Sequence, residues 1–384
     1  MPTYPPVIRT DSSNAFAHNT MRVRVPEIIR QTSSLNPDFT PDIRAALEGL
    51  ANAMEDDAPI PPLRLPAPDY DDWLRAYAPH EGETWQNTQW FYAEVYTYRL
   101  IMEAVRWWET ERDPFAAKKH EEYSAERPWL LVEQALSAQG GREEKLAELL
   151  TFALWGNRID LSFAASLAHG SEAGDDDLLV DDRARIVEHL LAADGTVHVI
   201  ADNAGTELAL DMVLVDGLLD GVADEVMLHL KLHPTFVSDA TVRDIWDFLA
   251  RLDAQRSAAI NALGRRLRQA LEAGRLRLAP DAYWNSTLVL EDMPARMHRL
   301  FADARLVLVK GDANYRRMVG DRLWPADTPL AQVVGFFPAP IAALRTLKSD
   351  AVVGLPPGMA GALDGVDPLW RVNGRRGVLQ ARIR

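Results

Sequence analysis

The stretch VHVIADNAGTELALDMVLVDGLL, residues 197–219, decides the fold. Val197, Val199 and Ile200 are β-branched and read as a short buried strand. Asp202 and Asn203 follow at once, and Gly205 then permits a tight turn. From Glu207 the pattern is a long, mostly apolar helix through Leu208, Met212, Val213, Leu218 and Leu219. A strand running out into polar residues and then a helix is the first half of a βαβ unit. Open α/β sheets bind their ligands at the carboxyl ends of the strands. Asp202 and Asn203 therefore set two oxygen-bearing side chains where a hard cation can be held. Asp202 could equally cap the helix that follows, as Asp239 could cap its own, and a carboxylate has oxygens enough for both tasks.

Downstream the alternation continues. EVMLHLKL (225–232) reads as a strand, and Ser238 and Asp239 stand just before a helix. LRLAPDAYWNS (276–286) gives a strand and a turn, and ARLVLVKGDANYRR (304–317) a buried strand ending in Lys310, Gly311 and Asp312. IAALRTLKSDAVVGL (341–355) predicts a turn or helix ending at Lys348 and then a strand, and GVLQARI (377–383) an edge strand. Alternating β and α with apolar strands indicates a mostly parallel sheet covered by helices on both faces.

Upstream, helices dominate. Residues 1–13 read as a loose tail, and Arg22 and Arg24 precede Pro26, a proline suited to a first helical turn. Further helices are expected over 41–54, 85–109, 113–123, 127–138 and 142–154, with an extended proline-rich linker at 55–70. Glu94 and Arg99 need partners on so apolar a helix as 85–109. LWGNRIDLSF (154–163) reads as a compact polar turn, and GSEAGDDD (170–177) as an acidic surface loop. The expected organisation is a helical region over 1–190 and an α/β core over 191–384.

A chain of 384 residues with 47% hydrophobic residues can bury a sizeable core. Its net charge of −15 argues against nucleic-acid partners. The absence of cysteine excludes disulfides, thiolate zinc sites and cysteine nucleophiles. No apolar run is long enough to span a membrane and MPTYPPVIRT lacks a signal-peptide core, so a cytoplasmic protein is expected.

The strand ends carry Asp202 and Asn203, Asp239, Asn285, Lys310, Asp312, Asn314, Tyr315 and Arg316, and then Arg345 and Lys348. In a parallel sheet these ends share one edge, so they describe one site. Oxygen ligands without His or Cys suit Mg²⁺ or Mn²⁺, and cationic side chains beside them suit a phosphate. The reaction class is metal-assisted phosphoryl transfer to water, with Asp202 itself or a water molecule as the nucleophile.

DNAGTELALD, FVSDATVRD, WNS, KGDANYRR and RTLK occur in the order in which the DUF89, or ARMT1-like, family of damage-control phosphatases carries them. RVP near Arg24, WFYAEVYTYR and LWGNRIDLS extend the resemblance to nearly the whole chain. RTLK, Arg345 to Lys348, resembles the signature of the Arg-Thr-x-Lys subfamily. The resemblance implies a Rossmann-like α/β/α core behind an N-terminal helical domain. It also implies a phosphatase dependent on Mg²⁺, Mn²⁺, Co²⁺ or Ni²⁺, acting on small phosphometabolites such as fructose 1-phosphate or fructose 6-phosphate. By that resemblance Asp202, Asn203 and Asp239 are the catalytic metal ligands. Asp312, Asn314, Tyr315 and Arg316 line the substrate pocket, Lys348 grips the phosphate with Arg345 supporting it, Arg24 reaches across the cleft, and Glu207 orients a ligand or water. Two positions depart from the family: Thr235 follows Pro234 where Trp is common, and Ala204 stands where Ser is. A eukaryotic member has been described as a protein-glutamate methyltransferase, so an S-adenosylmethionine-dependent carboxyl methyltransferase is the alternative. DNAGTE is, however, a poor glycine-rich loop for that cofactor. A non-catalytic phosphometabolite binder is a third reading, and such a protein has little need of a metal triad.

Overall fold

Runs of Val, Leu and Ile flanked by turn residues form the centre of a computed structural model that describes residues 4–156 and 177–383. The sheet has seven strands: β1 Leu178–Asp181, β2 Thr196–Ile200, β3 Glu225–Lys231, β4 Leu276–Asp281, β5 Leu306–Lys310, β6 Ile341–Thr346 and β7 Gly377–Arg382. Their order is β1-β7-β6-β5-β2-β3-β4. Strands β6, β5, β2, β3 and β4 run parallel, and β7 is antiparallel to β6 with β1 parallel to β7. The chain leaves β2 toward β3 on one side and returns on the other through β5, which makes the β2/β5 boundary the topological switch point.

Successive residues of β5 face opposite cores. Val307 and Val309 join the helices of residues 15–104 on one face. Leu306 and Leu308 join Arg127–Leu136, Arg142–Trp155, Thr206–Leu219 and Val242–Asp253 on the other. Both faces being covered explains why these strands are continuously apolar. The Thr206–Leu219 helix is buried almost all round and apolar almost all round. β4, at the edge, tolerates Pro280 because an edge strand can forgo a donor.

Six expectations need correction. IAALRT is a strand, β6, and not a turn or helix: an unbroken apolar run carries no period, and its place between β5 and β7 decides it. AVVGL, although β-branched, is irregular, because its backbone serves side chains instead of a ladder: Ala351 and Val353 bond Arg345, Tyr315 and Gln380. β7 is interior, since β1 covers its outer side, and β1 itself interrupts the region expected to be wholly helical. Residues 4–13 are not a loose tail: Ile8 is buried and bridges Asp321 and Trp90 by backbone bonds of 2.9 Å each. The aromatic helix is shorter than expected, Trp90–Ala104, and breaks at Arg106, which adopts φ 56°. The NRIDLSF and GSEAGDD parts of the two loops expected near 154–177 lie outside the described residues.

Candidate active site

At the end of β2 the backbone turns sharply and brings Asp202 against Gly311, the residue after β5. Gly311 has φ +80°, and a Cβ there would lie 1.9 Å from Asp202 Oδ2, so only glycine fits. Asp202 and Asp239 are both buried. Their segments are stitched together by an Asn203–Asp239 bridge, by Ala204 N donating to Ser238 O (2.6 Å) and by Ala240 N donating to Asp202 O (2.7 Å). Asn203 Nδ2 donates to Asp202 Oδ2 at 2.7 Å and to Glu207 Oε2 at 2.9 Å, and its Oδ1 accepts from Ser238 Oγ. The amide is thereby oriented from both sides. The loop leading to Asp239 is strained: Phe236 and Val237 have φ 48° and 67°, a region that costs about 1–3 kcal/mol for such residues. Phe236 is held there against Tyr98, with ring centroids 5.0 Å apart.

The electrostatics are unbalanced at the two acids. Burial raises the Asp202 pKa well above the usual carboxylate range, and Glu207 and Asp239 add to the shift. Burial also pushes Asp239 up to about 6, against the pull of Lys231. Lys231 Nζ lies 3.3 Å from Asp239 Oδ2 but also donates to Trp284 O at 3.1 Å and Asn314 Oδ1 at 3.3 Å. The Asp239 Oδ2 contact is an ion-pair distance without hydrogen-bond alignment, and among the described residues Asp202 Oδ1 has no hydrogen-bond partner. Buried carboxylates left with unfilled oxygens are costly unless a cation joins them. The donor set is hard oxygen, two carboxylates and an amide, which fits Mg²⁺ or Mn²⁺. Among the described residues no three His, Cys, Asp or Glu side chains gather closely enough to hold a metal, so the Asn203 amide would have to complete the set.

The remaining residues divide into holders and free groups. Lys310 is a holder: its ammonium meets Asp211 Oδ1 at 2.7 Å, Glu207 Oε1 at 3.2 Å and Ala153 O at 2.6 Å. Burial opposes its charge, but Asp211 and Glu207 outweigh burial and raise its pKa. Asn314 ties β2 to β5 by donating to Ala201 O at 3.0 Å and Lys310 O at 2.9 Å. Tyr315 is fully buried and donates to Gln380 Oε1 at 3.0 Å. Arg316 pairs with Asp321 and Glu94 and lies over Trp90, its guanidinium carbon 3.7 Å from the ring centroid. Arg345 is fully buried; it donates to Asp312 Oδ1 at 2.7 Å, to Ser349 O and Oγ at 2.9 Å each, and to Ala351 O. Asp312 Oδ1 also accepts from Lys348 N at 3.0 Å and Ser349 Oγ at 3.1 Å. Burial opposes the Asp312 charge, yet Arg345 and Arg316 hold its pKa below the usual range. This network fixes the backbone of the 347–351 turn and leaves the Lys348 side chain exposed, its charge acting on Asp202.

Arg24 is likewise exposed, on a wide π-turn, Thr20–Arg24, just ahead of Pro26, which has no N–H to give the preceding turn. Its charge bears on Glu94 and Tyr98, and Tyr98 also feels Asp239. Glu94 finds its partner in Arg316, and Arg99 in Asp69. Asn285 holds the loop after β3, accepting from Leu232 N at 2.7 Å and donating to His233 O at 2.9 Å. Lys231 is the residue that sequence reading missed. A lysine closing an apolar strand, as Lys310 does, was the available signal.

Fold and candidate site together define an α/β protein with a mostly parallel sheet, an acid-lined site at its switch point and cationic side chains beside it. Residues 20–363 match the damage-control phosphatase ARMT1-like domain, and the chain belongs to that family. It is 30% identical to damage-control phosphatase ARMT1 of Danio rerio, covering 95% of this chain and 94% of the relative. It is 31% identical to that of Mus musculus, over 87% and 85%. With the Homo sapiens protein it shares 26% identity over 99% of each. The crystal structure of a DUF89 family protein from Pyrococcus horikoshii superposes with a TM-score of 0.50 at 16% identity, covering 96% of this chain and 98% of that one, a likeness of fold. No helix among the described residues is long and apolar enough to cross a membrane.

Proposed function

We propose that the chain is a metal-dependent phosphatase of small phosphorylated metabolites, sugar phosphates such as fructose 1-phosphate and fructose 6-phosphate foremost. One observation carries the reading: two buried acids, with Asp202 Oδ1 unfilled among the described residues, lie within the field of Lys348, whose side chain is exposed and can meet an anion. Asp202, Asn203 and Asp239 would hold Mg²⁺, Mn²⁺, Co²⁺ or Ni²⁺. A cation held there supplies neutralisation of the phosphoryl charge that otherwise repels a nucleophile. Lys348 binds the phosphate, and Arg345 supports it by fixing the turn through Asp312 and Ser349. Arg24 closes the opposite side of the substrate pocket. Glu207 orients the Asn203 amide, while Asn314, Tyr315 and Arg316 build the wall.

The methyltransferase reading finds less support. The loop after β2 offers one glycine, Gly205, and Glu122 Oε2 lies 2.1 Å from where its Cβ would be, so no cradle opens there. The test is phosphate release from a panel of sugar phosphates and other phosphometabolites, with each of the four cations in turn. Release that needs the cation and stops with chelator is expected. Undiminished release after verified metal removal sinks the reading.

A further inference from the structure

The acids at the strand ends are held by their own loops, yet both loops are also gripped from outside by a single helix, Ala116–Ser124. Lys119 and Glu122 are three residues apart on it and so share a face. We propose that this helix is the clamp that sets the separation of the two donor-bearing loops, with Lys119 and Glu122 as positioning residues; the proposal rests on the metal site of the preceding section.

The Lys119 arm reaches the Asp239 loop. Its buried ammonium lies 2.9 Å from Asp244 Oδ2 and 3.0 Å from Asp113 Oδ2. The same Asp244 oxygen accepts from Thr241 N at 2.8 Å and Thr241 Oγ1 at 2.7 Å, which fixes the chain two residues beyond Asp239. A single carboxylate oxygen taking three donors is held in a fixed direction. The Glu122 arm reaches the other loop. Its Oε2 accepts from Thr206 N at 2.9 Å and Thr206 Oγ1 at 3.2 Å, at the first turn of the Thr206–Leu219 helix. N–H groups there lack intrahelical partners and favour a negative charge. Glu122 also occupies the space that a side chain at 205 would need, so the glycine and the glutamate require one another. The grip thus falls three residues after Asn203 and two after Asp239, from a helix that contributes no donor of its own. Groups in this relation to a cation govern its affinity, because they orient the donors.

The test is calorimetric titration of Mn²⁺, and separately of Ca²⁺, into the metal-free full-length protein. The wild type is compared with Glu122→Ala, Glu122→Gln and Lys119→Gln, and the metal-free melting temperature of each is recorded. Glu122→Ala should weaken Mn²⁺ binding by ~10-fold, as loss of an orienting partner typically does. It should also narrow the gap between Mn²⁺ and the larger Ca²⁺, which tolerates looser donor spacing. Glu122→Gln, which keeps an acceptor, should recover most of the loss. Lys119→Gln strands two acids and can fail to fold; the exposed Glu122 then decides alone. A wild type that binds Mn²⁺ beside a Glu122→Ala variant with unchanged affinity and unchanged Mn²⁺ preference overturns the clamp and leaves the proposed function standing. A lowered melting temperature with unchanged affinity overturns it equally. A wild type that binds no cation overturns the proposed function itself, and the clamp with it.

Discussion

Two cationic residues three apart in one motif do different work. Arg345 is spent on the protein: its nitrogens are taken by Asp312, Ser349 and Ala351. Lys348 is exposed, which leaves it to the solvent and to the phosphate proposed for it. Arg345→Ala should therefore cost about 3–5 kcal/mol of stability, as deletion of one partner of a buried pair does, and urea unfolding measures it. Lys348→Ala should leave the unfolding midpoint in place and lower kcat/KM by ~10²-fold, a loss matching charged hydrogen bonds. Unchanged kcat/KM takes Lys348 out of the site. Asp202→Ala and Asp239→Ala should each lower turnover by at least ~10²-fold, because charge stabilisation by preorganised groups is worth that much. Neither should unfold the protein, since each removes a carboxylate that burial disfavours. Near wild-type turnover in Asp239→Ala would take that residue out of the chemistry, and it would not be left as a helix cap either, because Thr241 and Asp244 cap the helix that follows.

Strands differ in how openly they declare themselves. β2 and β5 are legible because β-branched and leucine runs end abruptly in Asp202 and in Gly311, so strand and site appear in one reading. β6 is hidden, because alanine and leucine suit a helix equally and only its neighbours make it a strand. Four residues of β1 show no period at all. The candidate site was legible as a proposal where side chains cluster in sequence, as at 202–203 and 312–316. It was illegible where a partner arrives from far along the chain, as Lys231 does for Asn314 and Lys119 for Asp244. Inside the sheet, β2 and β3 also conceal a pH response. His198 Nδ1 and His229 Nε2 lie 2.9 Å apart beneath Phe301. Burial pushes His198 down to about 4, and burial with His198 beside it lowers His229. The unfolded chain takes up these protons first, so their stabilising share is whole above pH 6.5 and lost as pH falls toward 4. From pH 7 to 5 His198 alone should remove about 2 kcal/mol. Urea titrations at both pH values check this: His198→Gln should shrink the drop by that amount, and an equal drop in the variant refutes the assignment.

At the scale of the molecule, the site joins elements from both halves of the chain, so the cation and the fold should be linked. A cation at 100 times its Kd adds about 2.7 kcal/mol to stability, and the melting temperature should rise accordingly on adding Mn²⁺ to chelated protein. The rise should vanish in Asp239→Ala; a rise that persists there places the cation elsewhere. The N-terminal segment closes the molecule in another way. Ile8 and Thr10 bond to Trp90 and Thr88, while Pro6 and Ile8 bond to Leu323 and Asp321, and Asp321 in turn holds Arg316. On the ribosome, the segment therefore emerges long before Asp321 and Leu323 and waits for them. A contact spanning so much chain forms late, since its loop entropy is lost before anything is gained. Until then Ile8 stays in water and Arg316 lacks its anchored acid. The wall of the proposed site is thus completed by a segment translated long before Asp321 and docked only after it, and a nascent chain stalled short of Asp321 has no finished pocket to fill.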